Sequence, residues 1–202
     1  MVGIIKYGAG NIYSVISGIR QFGEEVCIIE NSKSISVIEF LVLPGVGNFN
    51  SGMDYLEKSG LDKEIKSIIM KGIPFLGICL GFQLLFEWSE EGERKGLGIL
   101  KGKVVKFKNE NLKIPHMGWN KVKFLNESLI FEGIRDNSYF YFAHSYYPVP
   151  EENIVIGITE YGEKFSSVVM KNNIIGVQFH PEKSGINGLN FLKNIMKKKW
   201  WQ

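Results

Sequence analysis

Short apolar runs alternate with stretches of helical periodicity along the first ninety residues. The apolar runs end at glycine, proline or charged residues, which is typical of buried strands. They occupy residues 2–6, 25–30, 40–47 and 73–79. Between and after them, apolar residues recur at helical spacing over 14–22, 53–70 and 81–91. Strands separated by helices predict a parallel sheet that is covered on both faces.

From Gly92 onwards, the pattern changes to short strand-like runs with little helix between them. These runs predict a mainly antiparallel extension of the same sheet. A last helical pattern covers residues 184–201. No internal repeat, low-complexity tract or linker interrupts the chain. The sequence therefore predicts a single α/β domain over residues 1–202: an open, flavodoxin-like sheet with a parallel core, an antiparallel extension and helices on both faces.

Composition adds few constraints on function. The chain has 202 residues, of which 45% are hydrophobic and 22% charged, as in ordinary soluble globular proteins. A net charge of +3 is weak support for a polyanionic partner, and the one tight basic cluster, Lys197–Lys199, fits the end of a helix. We therefore expect no nucleic-acid partner.

The two cysteines, Cys27 and Cys79, have neither metal-ligand spacing nor the number that a disulfide framework needs. The N-terminus enters a strand-like run without a signal-peptide pattern, and no run of about 18 apolar residues indicates a membrane span. We expect a cytoplasmic protein that has no membrane association, no metal and no cofactor.

The most informative stretch surrounds Cys79. Glycines stand two residues before and two residues after this thiol, at Gly77 and Gly81, where a predicted strand gives way to a predicted helix. This is the pattern of a sharp strand-to-helix turn that holds a nucleophile at the edge of a sheet. A helix start beside the sulfur favours the thiolate, which is the reactive form. A buried structural cysteine between packing glycines explains the five residues from Gly77 to Gly81 equally well.

A thiol nucleophile needs a base, and the base needs a group that orients it. His180 and Glu182 lie two residues apart in "HPE", so in extended chain their side chains share a face. They predict a triad in which Cys79 attacks, His180 transfers the proton and Glu182 fixes the imidazole tautomer. Taken alone, "HPE" also fits a surface turn.

The oxyanion formed by that attack needs preorganised donors. The N–H of Leu80 is one candidate, and the backbone of Gly45, Val46 and Gly47 offers others because this loop follows a buried strand. An ordinary strand-to-helix turn is the alternative explanation of the loop.

Five motifs resemble one known family. In chain order they are "PGVGNF", "LGICLGFQLLFE", "PHMGWN", "YFAHSYY" and "GVQFHPEKSG". Together they resemble the class I (triad-type) glutamine amidotransferases. The motifs "PHMGWN" and "HPEKSG" more narrowly resemble the glutaminase subunits of imidazole glycerol phosphate synthases, enzymes of histidine biosynthesis. One departure is Lys6, where many relatives carry an acid.

The resemblance implies hydrolysis of L-glutamine at Cys79 and transfer of the ammonia to a cyclase partner with a (β/α)₈ barrel fold, forming a heterodimer. It implies that Gln83 and the main chain at Ser145 and Tyr146 bind the substrate. It also implies a set of residues at the partner interface. These are Asn11, Trp119, Tyr141 and Lys183. Plain core packing is the alternative for the two aromatic residues.

Three other functions stay open from the sequence. A paralogue could feed ammonia to a different barrel synthase, such as one that modifies a surface sugar, and Lys6 leaves this possible. A catalytically silent regulatory subunit is a second alternative, against which the intact Cys79, His180 and Glu182 argue. A free-standing Cys–His peptide hydrolase is the third, but it leaves the partner-facing motifs unexplained.

Overall fold

A computed structural model describes residues 1–7, 12–32, 38–108, 112–197 and 200. Strands and helices in these ranges follow the predicted alternation closely at first. The strands are β1 Val2–Ile5, β2 Val26–Ile29, β3 Phe40–Leu43, β4 Phe75–Ile78, β5 Phe86–Ser89, β6 Arg94–Lys95, β7 Leu100–Lys106, β8 His116–Phe124, β9 Ser138–His144, β10 Tyr146–Pro150, β11 Val155–Tyr161, β12 Glu163–Lys171 and β13 Ile174–Val177. The α-helices are α1 Ile12–Arg20, α2 Phe49–Ser59, α3 Leu61–Met70, α4 Leu80–Gln83 and α5 Gly185–Met196.

The large sheet has the strand order β2-β1-β3-β4-β13-β12-β11-β8-β9. Strands from β2 to β13 in this order run parallel, and those beyond β13 pair antiparallel. This arrangement confirms the predicted parallel core with an antiparallel extension. The pairing of Ile78 with Val177 sets the ends of β4 and β13 side by side. The elements that carry Cys79 and His180 therefore end at the same edge.

Helices cover both faces of the parallel core, as predicted. Apolar side chains of α1 and α5 pack on one face, in the cluster that includes Val2 and Ile4 of β1. Side chains of α2 and α3 pack on the other face, in the cluster that includes Ile5. The alternation of side chains along β1 thus divides the core into two layers.

The antiparallel half differs from the prediction because it does not form one sheet. Strands β10, β7, β5 and β6 form a separate four-stranded sheet. The helix predicted over 81–91 is wrong beyond Gln83: α4 is a single turn, and the chain continues into β5. The carbonyl groups of Leu84 and Leu85 accept hydrogen bonds from the N–H groups of Leu97 and Leu100 instead of from a continuing helix.

The helix predicted over residues 53–70 is two helices. Gly60 adopts φ 71°, ψ 11°, a left-handed conformation that ends α2 and precedes α3. Asn48 caps the start of α2, since its side chain accepts hydrogen bonds from the N–H groups of Asn50 and Ser51. α2 therefore begins four residues earlier than the apolar spacing indicated.

Candidate active site

Cys79 lies in a strained turn between β4 and α4. Its backbone has φ 51°, ψ −107°, a conformation that L-residues rarely adopt and that is found at nucleophile turns. A β-carbon on Gly81 would lie 1.8 Å from the carbonyl oxygen of Leu43, and one on Gly77 would lie 2.9 Å from the carbonyl oxygen of Gly81. The two glycines are therefore required by close backbone contact around the thiol.

The sulfur of Cys79 is buried among polar groups. Its Sγ lies 3.8 Å from the carbonyl oxygen of Ala143 and 3.6 Å from Nε2 of Gln178, which donates to it. The helix that follows is only four residues long, so its dipole is much weaker than the sequence suggested. Local donors such as the Gln178 amide, more than a helix end, face the sulfur.

His180 and Glu182 form a buried pair beside Cys79. Nδ1 of His180 lies 2.8 Å from Oε1 of Glu182. Glu182 belongs to a 3-10 turn, Pro181–Lys183, so the pair forms through this turn and not through the extended chain that the sequence suggested. Burial lowers the pKa of His180, but the negative charges of Cys79 and Glu182 outweigh it and raise this pKa to about 10. The arrangement favours a protonated imidazole ring at His180.

Three of the four predicted oxyanion residues lie at the cavity beside Cys79, but the N–H donor of Leu80 is directed at the fourth, Gly45. Val46, Gly47 and Leu80 line the same cavity as Cys79. The N–H of Leu80 donates to the carbonyl oxygen of Gly45 at 3.4 Å. Gly47 has φ 108°, a conformation that favours glycine. The loop therefore presents a carbonyl oxygen to the donor that the oxyanion would use.

The cavity beside Cys79 has a volume of about 170 Å³. The predicted substrate residues Gln83, Ser145 and Tyr146 all line it. Both N–H groups of the Gln83 amide donate to protein acceptors, to the carbonyl oxygen of Tyr146 at 2.8 Å and to Oε1 of Gln178 at 3.1 Å. The amide of Gln83 thus offers a substrate its carbonyl oxygen.

Two further residues of this region were missed by sequence reasoning. Glu91 lines the cavity and accepts a hydrogen bond from the N–H of Phe49 at 2.8 Å. No spacing signal identified it, because residues 81–91 read as one helix. Gln178 contacts the sulfur, and its position two residues before His180 was the available signal.

A second, smaller cavity of about 20 Å³ is lined by Tyr7, Gly45, His180 and Glu182 among others. Three of its polar atoms are buried and have no hydrogen-bond partner among the described residues: Tyr7 Oη, His180 Nε2 and Glu182 Oε2. Burial, with a contribution from the charge of Cys79, raises the pKa of Tyr7 well above its usual value, so this hydroxyl stays protonated. A β-carbon on Gly45 would lie 2.0 Å from Tyr7 Oη, so the tyrosine requires glycine at this position.

Three of the four predicted interface residues lie together on the surface. Trp119 is 55% exposed, and its ring centroid lies 6.1 Å from that of Tyr141. Nζ of Lys183 lies 5.8 Å from the centroid of the Tyr141 ring. Asn11 lies outside the described residues. Lys6 is exposed and forms an ion pair with Glu30 at 2.8 Å, which raises the pKa of Lys6.

In the ranges described, no group of three or more histidine, cysteine, aspartate or glutamate side chains is arranged to hold a metal ion. No helix within those ranges combines the length and the apolar character needed to cross a membrane.

The fold is similar to solved structures of low sequence identity. A structure described as a glutamine amidotransferase has a TM-score of 0.72 at 18% identity, over 96% of this chain and 97% of the other. A structure of PurLQS from Thermotoga maritima has a TM-score of 0.76 at 18% identity, over 98% and 97% of the two chains. At this level of identity, the likeness concerns the fold alone, and it confirms the predicted fold class.

Sequence relatives are much more similar. The family model for class-I glutamine amidotransferases matches residues 4–199. A protein named imidazole glycerol phosphate synthase subunit HisH from Methanocaldococcus jannaschii is 49% identical, over 98% of this chain and 99% of its own. A protein of the same name from Geobacillus thermodenitrificans is 43% identical, over 97% and 95%. The chain therefore belongs to the class-I glutamine amidotransferase family, within the group of imidazole glycerol phosphate synthase HisH subunits.

Proposed function

We propose that this chain is the glutaminase subunit of an imidazole glycerol phosphate synthase in histidine biosynthesis, and that it supplies ammonia to a cyclase partner. The observation that carries the proposal is the strained, buried Cys79 beside the His180–Glu182 pair, in a chain 49% identical to a HisH subunit. L-glutamine is the substrate, and Cys79, His180 and Glu182 are the catalytic residues.

The proposed reaction has two stages, formation of a thioester at Cys79 and its hydrolysis. The thiolate of Cys79 bonds to the side-chain amide carbon of glutamine, and the carbonyl oxygen takes the negative charge. As the C–N bond breaks, the imidazolium of His180 gives its proton to the departing nitrogen, and ammonia leaves. Water then attacks the thioester, His180 takes a proton from it, and glutamate departs as the C–S bond breaks. Glu182 keeps the proton on Nδ1, so that Nε2 exchanges protons with the reactants.

The oxyanion requires a change in the loop at Gly45. With the N–H of Leu80 turned to the Gly45 carbonyl oxygen, the site lacks a fully directed donor. Rotation of the peptide between Gly45 and Val46 would replace that carbonyl oxygen by an N–H group. Together with the N–H of Leu80 and the backbone of Gly47, it would complete the hole.

Substrate orientation is assigned to polar groups at the rim of the cavity. The carbonyl oxygen of Gln83 and the carboxylate of Glu91 suit the α-ammonium group of glutamine, because both accept hydrogen bonds. The main chain at Ser145 and Tyr146 suits the α-carboxylate end. Charge and hydrogen-bond complementarity thus direct the side-chain amide of glutamine toward Cys79.

The cyclase partner docks, in this proposal, on the surface of Trp119, Tyr141 and Lys183, with Asn11 as a further contact. Exposed aromatic residues are typical of protein interfaces. Ammonia released into water would be protonated and lost, so a docked (β/α)₈ partner that excludes water explains why the two subunits associate. We also propose that the chain acts as a single domain and that it works in the cytoplasm.

The alternative partner, a synthase outside the histidine pathway, is not favoured. The two relatives named above match this chain over nearly their whole length. Both are named as subunits of imidazole glycerol phosphate synthase. Lys6, which kept that alternative open, pairs with Glu30 on the surface and is not among the residues that line the cavity at Cys79.

The test is a glutaminase assay of the purified chain, alone and with a cyclase subunit and its ribotide ligand. We expect glutamate formation that depends on Cys79 and increases in the complex. Glutamate formation by Cys79→Ser at the wild-type rate would refute the site. Absence of turnover with the histidine-pathway cyclase, but turnover with another barrel synthase, would restore the alternative.

A further inference from the structure

Two buried histidines lie beside the site and take no part in the triad chemistry. His116 on β8 pairs with His144 on β9 in the antiparallel ladder, and their ring nitrogens Nδ1 and Nε2 lie 3.1 Å apart. They are only 3% and 5% exposed. Burial lowers the pKa of His116 to about 4 and that of His144 to about 3, so both rings are neutral at pH 7. Each ring therefore has one donor and one acceptor nitrogen.

The acceptors around the pair determine which nitrogen carries each proton. Nδ1 of His144 lies 2.8 Å from the carbonyl oxygen of Tyr146, which can only accept, so Nδ1 must carry the proton. Nε2 of His144 is then an acceptor, and Nδ1 of His116 must donate to it. Nε2 of His116 is in turn an acceptor, facing Nδ2 of Asn120 at 3.2 Å. The other N–H of Asn120 donates to the carbonyl oxygen of Glu160 at 2.9 Å, which fixes this amide.

Aromatic packing prevents the rings from turning out of this chain. The ring of His116 lies between Tyr161, with centroids 4.0 Å apart, and Phe142, at 4.9 Å, both in stacked geometry. The ring of His144 packs against Phe165 at 5.1 Å. The packing of the antiparallel extension thus fixes the direction of the hydrogen bonds.

The chain of hydrogen bonds continues to the nucleophile. The carbonyl oxygen of Tyr146 accepts from His144 and also from Nε2 of Gln83 at 2.8 Å. The second N–H of Gln83 donates to Oε1 of Gln178, and Nε2 of Gln178 donates to Sγ of Cys79. The Tyr146 carbonyl oxygen is therefore the point at which the histidine pair meets the substrate and nucleophile groups.

We propose that His116 and His144 are positioning residues that hold the Tyr146 carbonyl group and, through it, the Gln83 amide in the orientation that binds glutamine beside Cys79. His144 donates the hydrogen bond, and His116 keeps His144 in the tautomer that can donate it. The kinetic consequence of this inference rests on the proposed glutaminase function. The directions of the hydrogen bonds concern only the two rings and do not depend on that function.

The directions of the hydrogen bonds are tested without an activity measurement. The chain has only three histidines, so labelling with ¹⁵N-histidine followed by NMR at pH 7 reports every ring nitrogen. We expect His116 and His144 to be neutral with the proton on Nδ1 in both. His116→Phe should allow His144 to exchange between tautomers, and its two nitrogen signals should move toward each other. A proton on Nε2 of His144 in the wild-type chain would overturn the proposal.

The kinetic consequence is tested with matched variants of His144. His144→Phe keeps a ring but loses the donor, and we expect the KM for glutamine to rise about tenfold with a much smaller change in kcat, as for the loss of one buried hydrogen bond. His144→Asn keeps an N–H near the position of Nδ1 and should recover most of this loss. Phe131→Leu, which disturbs the stacked rings of Phe124 and Phe131 (centroids 3.8 Å apart) outside the hydrogen-bond chain, should lower Tm but leave KM within about twofold.

Equal KM values for wild type and His144→Phe, with only a lower Tm, would reduce the pair to a structural role and refute the proposal. If the wild-type complex shows no glutaminase activity, the proposed function fails, while the NMR result still decides the hydrogen-bond directions. The two failures are therefore distinguishable.

Discussion

The N–H of Leu80 donates to the carbonyl oxygen of Gly45 at 3.4 Å, across the mouth of the turn that holds Cys79. Both residues belong to the predicted oxyanion hole, yet the N–H of Leu80 is hydrogen-bonded here to the carbonyl group of Gly45. A β-carbon on Gly45 would meet Tyr7 Oη at 2.0 Å and Leu80 Cβ at 2.9 Å, so the loop is closely packed on the turn. In the proposed mechanism, this contact leaves the nucleophile in place and withdraws one oxyanion donor.

This contact predicts strong activation by the docked, ligand-bound partner. Loss of one oxyanion donor costs roughly 10²–10³ in kcat, so we expect an increase of about that size between the isolated chain and the complex. The partner can shift the loop at Gly45 only by binding its active arrangement more tightly. The measurement is kcat for the chain alone, for the complex, and for the complex with the ribotide ligand. Equal values in the three states would exclude such a switch.

Cys79→Ser should abolish glutamine-dependent turnover of the complex and leave ammonium-dependent turnover intact. The reason is that, in the proposed function, Cys79 serves only to release ammonia, while the partner performs the ring chemistry. Turnover of the ribotide is measured with glutamine and with an ammonium salt at high pH. Cys27→Ser is the matched control, because Cys27 lies on β2 away from the cavity and should retain both activities. Failure of ammonium to support an assembled Cys79→Ser complex would contradict this division of labour.

The features that sequence predicts well are those that depend on local constraints. Gly77 and Gly81 around Cys79 identified the nucleophile turn, because only close backbone approach explains two glycines in an apolar run. Features that depend on distant partners were missed or mispredicted. Leu84, Leu85 and Phe86 are buried apolar residues that suit a helix or a strand equally. The hydrogen bonds that decide between them come from Leu97 and Leu100.

The candidate site shows the same division. The proposed triad was predicted from two motifs taken together, since each motif alone also fits a structural role. The pairing of His116 with His144 depends on the register between β8 and β9, which a single sequence does not reveal. The orientation of the Leu80 N–H likewise depends on the conformation of a loop that lies far from it in sequence.

The buried histidine pair predicts a loss of stability on acidification. The pKa values of His116 and His144 are about 4 and about 3 in the folded chain but near 6.5 when unfolded, so only the unfolded state takes up protons just below pH 6.5. The free energy of unfolding should therefore fall as pH decreases, by up to roughly 1.4 kcal/mol per pH unit for each histidine. His180 has the opposite shift, so its contribution is complete below pH 6.5 and is lost only as pH rises toward about 10.

Denaturant unfolding at several pH values between 6.5 and 5 measures this slope, above the range where most carboxylates titrate. His144→Asn removes one of the two groups and should reduce the slope by about half. Identical slopes in the wild-type and variant chains would show that His144 is not held neutral.

Lys183→Ala should weaken docking of the cyclase partner while leaving basal glutamine hydrolysis by the isolated chain unchanged. Lys183 is exposed and follows Glu182 in the same 3-10 turn, but its Nζ lies over the Tyr141 ring on the predicted docking surface and not among the residues that line the cavity at Cys79. The Kd is measured by titration of the partner, and basal kcat by glutamate release.

Lys121→Ala is the matched control, since Nζ of Lys121 lies 5.5 Å from the centroid of the Tyr139 ring on the same pair of strands, outside the predicted interface. We expect several-fold weaker docking for Lys183→Ala alone, as for loss of an exposed cation and its ring contact. An unchanged Kd would remove Lys183 from the interface, and a collapse of basal hydrolysis would place it in the catalytic site.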